Sequence, residues 1–510
     1  MNEKQTVFGE KKWLLWAAVL LIFAVGLAIR FYDLDDAPLD FHPTRQLHSA
    51  LMSRGMYYQN LPDVPEWKRE LAVEQWKQEG LIEPPIMERL TALTYQVAGQ
   101  ENLVYARVYA ILIWTLGGLG LFLLLRDMVG ADGAVIGLAY FMILPYAALA
   151  SRSFQPDPLL TTGIVWGWWG MLRWYRQQTW KWVVIAGLLA GVAIFFKSTA
   201  VFFIGPAWMG LILSEMGFKQ AVRNKQVWVL GGLTVLPYAL FHIYGVYIVG
   251  LLGGQFALRF FPNLWIDPVT YLRWKGMIDS TLVFEWFLVA LMGTFLIREK
   301  CPRVMFIAVW LGYFVYGMTF SHHISTHDYY QLPFVPAVAI GIAAAAQMLI
   351  HKMRAPKAVL YGLVIGVILF WVTMNAWDVR VKLKREDFRG DAAFWTMLGE
   401  KLDGKSSMSI TPDYGYRLAY WGWTSTQNWL SSGDFEYRAL AGQEFDMAKM
   451  FAEEVAGKDV FLVTMFGELE KQPKVKNLLY ENYPMLEQDE EYVIFDLQNP
   501  PSVEDANAGE

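Results

Sequence analysis

Cysteine is almost missing from this 510-residue sequence: Cys301 stands alone, which excludes an internal disulfide and a cysteine-based metal site. Charge is scarce too. Asp, Glu, Lys and Arg make up 18% of the chain against 55% hydrophobic residues. That is too little polar surface for the roughly three soluble domains that length alone would allow. No P-loop and no strand-linked GxGxxG occurs, so neither of these nucleotide-phosphate cradles is encoded. The basic residues are scattered through short loops and form no patch, which argues against nucleic acid as a partner. What abounds is apolar and aromatic. Twenty-three Trp, 32 Phe and a mean hydropathy of +0.27 describe a chain in contact with lipid and its interfaces.

Eleven apolar runs approach the length needed to cross a bilayer of about 30 Å. They are 13–30, 104–125, 133–150, 158–172, 182–196, 199–214, 228–250, 281–297, 304–320, 331–350 and 358–376. No small-x-small cleavage site follows the first run, so it reads as a retained anchor rather than a signal peptide. With a cytoplasmic N-terminus, sixteen Lys and Arg fall on inside segments. Only five (Arg152, Lys197, Arg259, Arg273 and Lys275) fall on short outside connections. This orientation puts the first loop (31–103), the 151–157 turn, Lys197, the 251–280 loop and the 321–330 turn on the outer face. The region after 376 joins them. A transporter tends to place its polar residues near the midplane on broken helices. Here the span interiors are almost free of charge, and the polar clusters gather at one interface.

The formal net charge of −5 hides an asymmetry. Residues 377–510 hold 14 Lys/Arg and 25 Asp/Glu, a net of −11, so residues 1–376 carry +6. The sequence therefore predicts a membrane domain over 1–376 and an acidic outer domain over 377–510. In the first loop, Thr44–Tyr58 and Glu66–Glu79 read as helices of the kind that lie in the interface, and 251–280 has the same aromatic-rich character. The outer domain reads as mixed α/β. Strands are expected at Met408–Thr411, Val460–Thr464 and Tyr492–Leu497, with helices near 444–456 and 468–482 and an acidic tail over Asn499–Glu510.

Several outer-face residues could carry chemistry. Asp40, in Pro38-Leu39-Asp40-Phe41-His42-Pro43-Thr44-Arg45-Gln46, suits a general base for an acceptor hydroxyl, with His42 and Arg45 close in sequence. Its bland alternative is a loop Asp paired with Arg45 or capping the next helix. Asp157 stands in Gln155-Pro156-Asp157-Pro158, where an N-cap Asp followed by Pro at N1 is the competing reading. Arg107, Arg152 and Lys197 supply positive charge that an anionic phosphate would need, against the alternative of snorkelling to headgroups. Lys197 is the most pointed of the three, having no carboxylate nearby in sequence. The turn Ser321–Tyr330 is the densest polar cluster. His323 and His327 at i and i+4 would suit a metal on a helix, but no Glu completes a zinc-protease pattern. Hydrogen bonding of His327, Tyr329 and Tyr330 to a phosphate or sugar is the favoured reading, and a divalent cation stays open as a cofactor.

Taken in order, these features resemble the polytopic GT-C glycosyltransferases, in the group of protein O-mannosyltransferases and the lipid A aminoarabinose transferase. The resemblance covers about residues 13–350. It runs through Asp40, Glu83-Pro84-Pro85-Ile86, Ala106-Arg107-Val108, Pro145, Ser151-Arg152, Asp157, Phe195-Phe196-Lys197-Ser198 and His327–Pro333. Asp413-Tyr414 and Tyr420-Trp421-Gly422-Trp423 are similar to the outer domain of some bacterial members. The resemblance implies a GT-C fold of about 11 transmembrane helices in a bacterial inner membrane. It further implies transfer of a sugar, with inversion, from a polyprenyl-phosphate donor to a lipid, glycan or protein acceptor on the outer face. By the same analogy Asp40 is the base and Lys197 a phosphate ligand. Many members carry Asp-Glu at the first motif, whereas Asp40 is followed by Phe41, which leaves Asp35 or Asp36 as alternative bases. A polyprenyl-phosphate leaving group needs little protonation, so cations on the phosphate can replace a general acid. Two other classes stay open: a carrier or flippase for lipid-linked saccharides, and a membrane scaffold whose acidic outer domain binds partners.

Overall fold

The computed structural model describes residues 5–250, 252 and 259–499. Residues 251 and 253–258 of the second outer loop, and the acidic tail expected beyond Asn499, lie outside the described residues. The chain falls into two units. One takes the chain up to Asp35, then Leu81–Met87 and Val104–Glu386; the other takes Asp36–Gly80, Glu88–Leu103 and the chain from Asp387 on. This grouping differs from a division at residue 377. Most of the first loop shares a unit with the C-terminal region, and the last apolar helix runs on from Lys357 to Arg385.

The first unit is helical because its sequence is built of long apolar runs that can satisfy backbone N–H and C=O groups only within a helix. Among the described residues, seven helices are long and apolar enough to cross a membrane. They are Lys12–Phe31, Val104–Met128, Ser198–Ala221, Lys225–Ile248, Lys300–Thr319, Asp328–Lys352 and Lys357–Arg385. Pro268–Leu282 and Phe284–Thr294, bent by 89°, make an eighth when taken as one span. The hydropathy pattern predicts eleven. The remaining runs are helical but shorter or more polar. Pro145, which lacks an N–H, divides 131–150 into Ala131–Ile143 and Pro145–Ala150. Trp180–Phe196 has 17 residues, and Asp157–Gln177 is diluted by Thr161, Thr162 and four tryptophans.

These helices meet where side chains are small. A Cβ built on Gly137 would lie 2.9 Å from the carbonyl oxygen of Ala339, and one on Gly293 would strike the backbone of Gly341. Lipid provides no hydrophobic drive between helices, so close backbone approach and van der Waals contact must hold them.

The second unit contains a five-stranded sheet: β1 (Ser407–Ile410), β2 (Thr426–Asn428), β3 (Val460–Val463), β4 (Met485–Gln488) and β5 (Val493–Asp496), in the order β2-β1-β3-β5-β4. β1 runs parallel to β2 and β3, while β5 is antiparallel to β3 and β4. Alternation along β3 sorts side chains between two layers. Val460 and Leu462 pack with Trp395, Leu398 and Leu418, whereas Phe461 and Val463 pack with Met408, Phe451 and Phe495.

The first-loop helices Pro43–Tyr58 and Glu66–Gln78 occur where expected, but the first is not an interfacial helix. Gln46 to Tyr57 are buried without interruption, so it has no face left for lipid headgroups. Gly55 permits this packing, since a Cβ there would lie 2.3 Å from the Cβ of Trp76.

Candidate active site

The helices Asp157–Gln177 and Trp180–Phe196 form a hairpin, turned by Gln178 in the left-handed region at φ 47°. Their register is set by a stripe of small residues. Cβ atoms built on Gly163 and Gly170 would sit 3.0 and 3.1 Å from the Cα atoms of Ala193 and Ala186, and one on Gly167 would sit 3.4 Å from that of Ala190. This register brings Asp157, at the start of one helix, against Lys197, which ends the other in an extended conformation (φ −157°, ψ 125°). Lys197 Nζ donates to both carboxylate oxygens of Asp157, at 3.0 and 3.2 Å, and lies 3.8 Å from Glu83 Oε1. It also sits 5.5 Å from the ring centroid of Tyr329. One cation thus faces two carboxylates from three separate segments, with side-chain exposures of 16% for Lys197, 3% for Asp157 and 15% for Glu83. Desolvation on that scale makes the charges interact more strongly than a surface pair.

The N-cap reading of Asp157 is corrected by this geometry. Pro156 occupies the cap position without a side-chain cap bond, and the Asp157 carboxylate is turned to Lys197 instead. Glu83 is legible in sequence only as part of the Glu83-Pro84-Pro85 motif; its closeness to Lys197 spans more than a hundred residues of chain.

Arg107 and Arg152, expected to meet a phosphate, are held by backbone carbonyls. Arg152 is buried and donates to the carbonyl oxygens of Tyr32 (2.6 Å) and Asp33 (2.8 Å), while Arg107 donates to that of Leu34 (3.3 Å). Carbonyls at and beyond a helix C-terminus have no intrahelical donor, and guanidinium groups satisfy them well. Arg30, which sequence reasoning missed, completes the arrangement. It donates to Ser151 Oγ (2.7 Å) and to the carbonyls of Gly26 and Met142 (2.8 and 2.6 Å). Arg30 and Arg152 tie the end of the first span to the turn that precedes Asp157, and Arg107 ties it to the helix Val104–Met128.

The structure brings the histidines of the Ser321–Tyr330 turn together. His323 lies on the short helix Ser321–Thr326, while His327 follows it in extended conformation, their rings 5.3 Å apart. Burial, then the neighbouring His327, His322 and Arg259 charges, push His323 down to about 3, and burial with Arg273 lowers His322. Both therefore favour the neutral form near neutrality. Thr326 Oγ1 pairs with His327 Nδ1 at 2.8 Å; Tyr329 neighbours Lys197, and Tyr330 is buried against Tyr316. Among the described residues no group of three or more His, Cys, Asp or Glu could hold a metal ion.

The other candidates, apart from Asp35 at the edge of the first unit, belong to the second unit. Asp40 is half-buried in the turn before Pro43–Tyr58. The buried amide of Gln46 staples that turn by donating to the carbonyls of Pro38 (3.0 Å) and Phe41 (2.7 Å). His42 occupies the helix N-cap at φ 45°, with no side-chain cap bond, ahead of Pro43 at N1. Asp36, an alternative base, accepts from the backbone N–H groups of Ala37 and Phe388, whereas Asp35 is exposed. Arg45 exerts its charge on Glu79 and Tyr416. Burial pushes the Glu79 carboxyl up to about 7, outweighing the hydrogen bond from Tyr416 (2.6 Å) and the Arg45 field.

Comparison with known proteins agrees with this architecture. Residues 82–244 match the family model for dolichyl-phosphate-mannose-protein mannosyltransferase. Curated proteins yield no match by sequence. Among solved structures, ArnT from Cupriavidus metallidurans bound to undecaprenyl phosphate is 15% identical, with a TM-score of 0.58 over 94% of this chain and 97% of that one. The same protein in the apo state is 16% identical, with a TM-score of 0.55 over 95% and 98%. The Archaeoglobus fulgidus oligosaccharyltransferase AglB, in complex with an inhibitory peptide and a dolichol-phosphate, is 12% identical. It has a TM-score of 0.54 over 98% of this chain and 76% of that one. Likeness at such identities is a likeness of fold. The chain is a polytopic membrane protein with the GT-C glycosyltransferase fold.

Proposed function

We propose that this protein is an integral-membrane glycosyltransferase of the bacterial inner membrane, drawing a sugar from a polyprenyl-phosphate donor. It passes the sugar, with inversion, to a hydroxyl of a lipid, glycan or protein acceptor on the outer face. The observation that carries the reading is the Lys197–Asp157–Glu83 cluster. It stands at the end of the hairpin away from Arg173, Arg176 and Lys181, the cations that mark the cytoplasmic turn. The family match over 82–244, which contains all three residues, and the lipid phosphates bound by ArnT and AglB support it.

In this reading the acceptor oxygen attacks the anomeric carbon and its proton passes to a carboxylate. The bond from that carbon to the phosphate oxygen breaks, its electron pair leaving with the phosphate. Asp40 is the base, in a turn that Gln46 holds rigid. Lys197 meets the phosphate side of the donor, and Asp157 orients the ammonium. Arg107 and Arg152 hold the backbone around the site and add positive charge for the donor phosphate, and His327, Tyr329 and Tyr330 offer hydrogen-bonding groups to the donor.

The test uses the purified full-length protein in lipid nanodiscs, with labelled polyprenyl-phosphate sugars, beside mass spectrometry of envelopes from cells with and without the gene. A sugar increment is expected to disappear with the gene. Asp40→Asn is expected to slow transfer by about 10²–10⁴-fold without changing the unfolding temperature. Retained transfer would reject Asp40 as base. Lipid movement across the bilayer with no transfer at all would favour a carrier.

A further inference from the structure

Two buried polar side chains flank the Asp157–Lys197 pair, and their hydrogen-bonding atoms meet no partner among the described residues. They are Gln155, 1% exposed, through both Oε1 and Nε2, and Thr199, 8% exposed, through its hydroxyl. Gln155 stands two residues before Asp157 and Thr199 two after Lys197. Chain connectivity therefore keeps each Cα within about 7 Å of that of its charged neighbour. The backbone around Gln155 is fixed. Its N–H donates to the Ser153 carbonyl (2.9 Å), Ser153 Oγ donates to that of Ala150 (2.6 Å), and Arg152 grips the carbonyls of Tyr32 and Asp33. Burying an unpaired amide is costly, and an apolar side chain of similar size would avoid the cost. The neighbouring Ser153 and Asp157 side chains both have partners, so the want of one at Gln155 is not general to this turn.

The chemistry of the amide narrows what would meet it. It presents an acceptor and a two-proton donor side by side. A phosphate oxygen only accepts, so it would satisfy Nε2 and leave Oε1 buried. A sugar hydroxyl both donates and accepts, and two neighbouring ring hydroxyls would satisfy both ends of the amide at once. We infer that Gln155, seconded by the Thr199 hydroxyl, reads the hydroxyl pattern of the donor's sugar and so sets which sugar the protein accepts. This inference rests on the glycosyltransferase reading above.

The experiment measures donor binding by the full-length protein in nanodiscs. The probes are sugar-free undecaprenyl phosphate and undecaprenyl phosphates carrying mannose, glucose, arabinose or 4-amino-4-deoxyarabinose, followed by monodeoxy analogues of the best-bound one. The unaltered protein is expected to reject at least one deoxy analogue by roughly 10²-fold or more. In Gln155→Leu that gap falls to about 3-fold or less, while sugar-free lipid phosphate binds as before and the unliganded protein unfolds at the same temperature or higher. Thr199→Val narrows the gap less. Undiminished discrimination in Gln155→Leu overturns the inference, as does an equal loss of sugar-free lipid. A lowered unfolding temperature does too, since it would mark the amide as structural. Binding of lipid phosphate without distinction between sugars sinks this inference alone; binding of none of the probes sinks the glycosyltransferase reading with it.

Discussion

Gly163, Gly167 and Gly170 meet Ala193, Ala190 and Ala186 in the membrane-spanning unit, so two helices join where side chains are missing. In the other unit a seam is made by inserting a charged side chain. Arg54, 4% exposed, pairs with Glu101 at 3.0 Å, donates to the Tyr420 carbonyl at 2.5 Å and lies over the rings of Tyr420 (3.8 Å) and Trp423 (4.2 Å). The difference follows from the surroundings. Charge is expensive in lipid, where polar partners are few, so along the hairpin small residues and dispersion hold the two helices together. Away from lipid, a buried cation can be matched by a carboxylate, a carbonyl and aromatic faces together.

The comparison can be broken first at its charged seam. Arg54→Ala leaves Glu101 without its cation and is expected to destabilise the second unit by on the order of 3–5 kcal/mol. Limited proteolysis would show C-terminal fragments released at lower temperature, and an unchanged pattern would mean that the seam is held by apolar packing. The small-residue seam fails in the opposite direction, by addition. Gly163→Leu should cost about 3 kcal/mol through overpacking against Ala193 and shift the hairpin register. Sugar transfer should fall as Asp157 and Lys197 separate, which a charge-neutral surface substitution would not cause.

The smallest effect sharpens the contrast through pH. The Glu79 carboxyl is raised from 4.5 to about 7 in the folded protein, so the folded state holds a proton that the unfolded state releases. Its contribution is therefore full below about pH 4.5 and is lost as pH rises through 7, a change of at most about 3 kcal/mol. Glu79→Gln should flatten this part of the stability profile in thermal unfolding between pH 4.5 and 7.5. A profile with the same slope as the unaltered protein would assign the pH dependence elsewhere.

Much of the architecture is legible in the sequence. Each of the eleven apolar runs falls on helix, and the strands expected at 408–411, 460–464 and 492–497 lie within a residue or two of β1, β3 and β5. β2 and β4 escape a reading by pattern for identifiable reasons. Thr426-Gln427-Asn428 is short and polar, and Met485–Gln488 is exposed throughout, so neither carries the alternation that betrays a half-buried strand. The helix Pro43–Tyr58 can be placed from its sequence but its surroundings cannot, because His48, Ser49, Ser53 and Arg54 look like a water-facing side until their partners are known. Glu88 covers Ser49 at 2.7 Å, and Glu101 covers Arg54. Arg107 and Arg152 stand out for their charge. Their partners are carbonyls, which sequence does not display.

Hydropathy and charge by themselves determined that this is a polytopic chain with an acidic C-terminal region, because these are local sums over composition and survive any arrangement of the helices. They also marked Asp40, Asp157 and Lys197 as unusual. Tertiary structure alone decided that Lys197 faces Asp157 and Glu83, that Arg30, Arg107 and Arg152 reach backbone carbonyls, and that the buried amide of Gln155 meets no partner among the described residues. Those facts depend on helix register and on which carbonyls lie within reach, and register is set by the close approach of glycine and alanine across a hairpin.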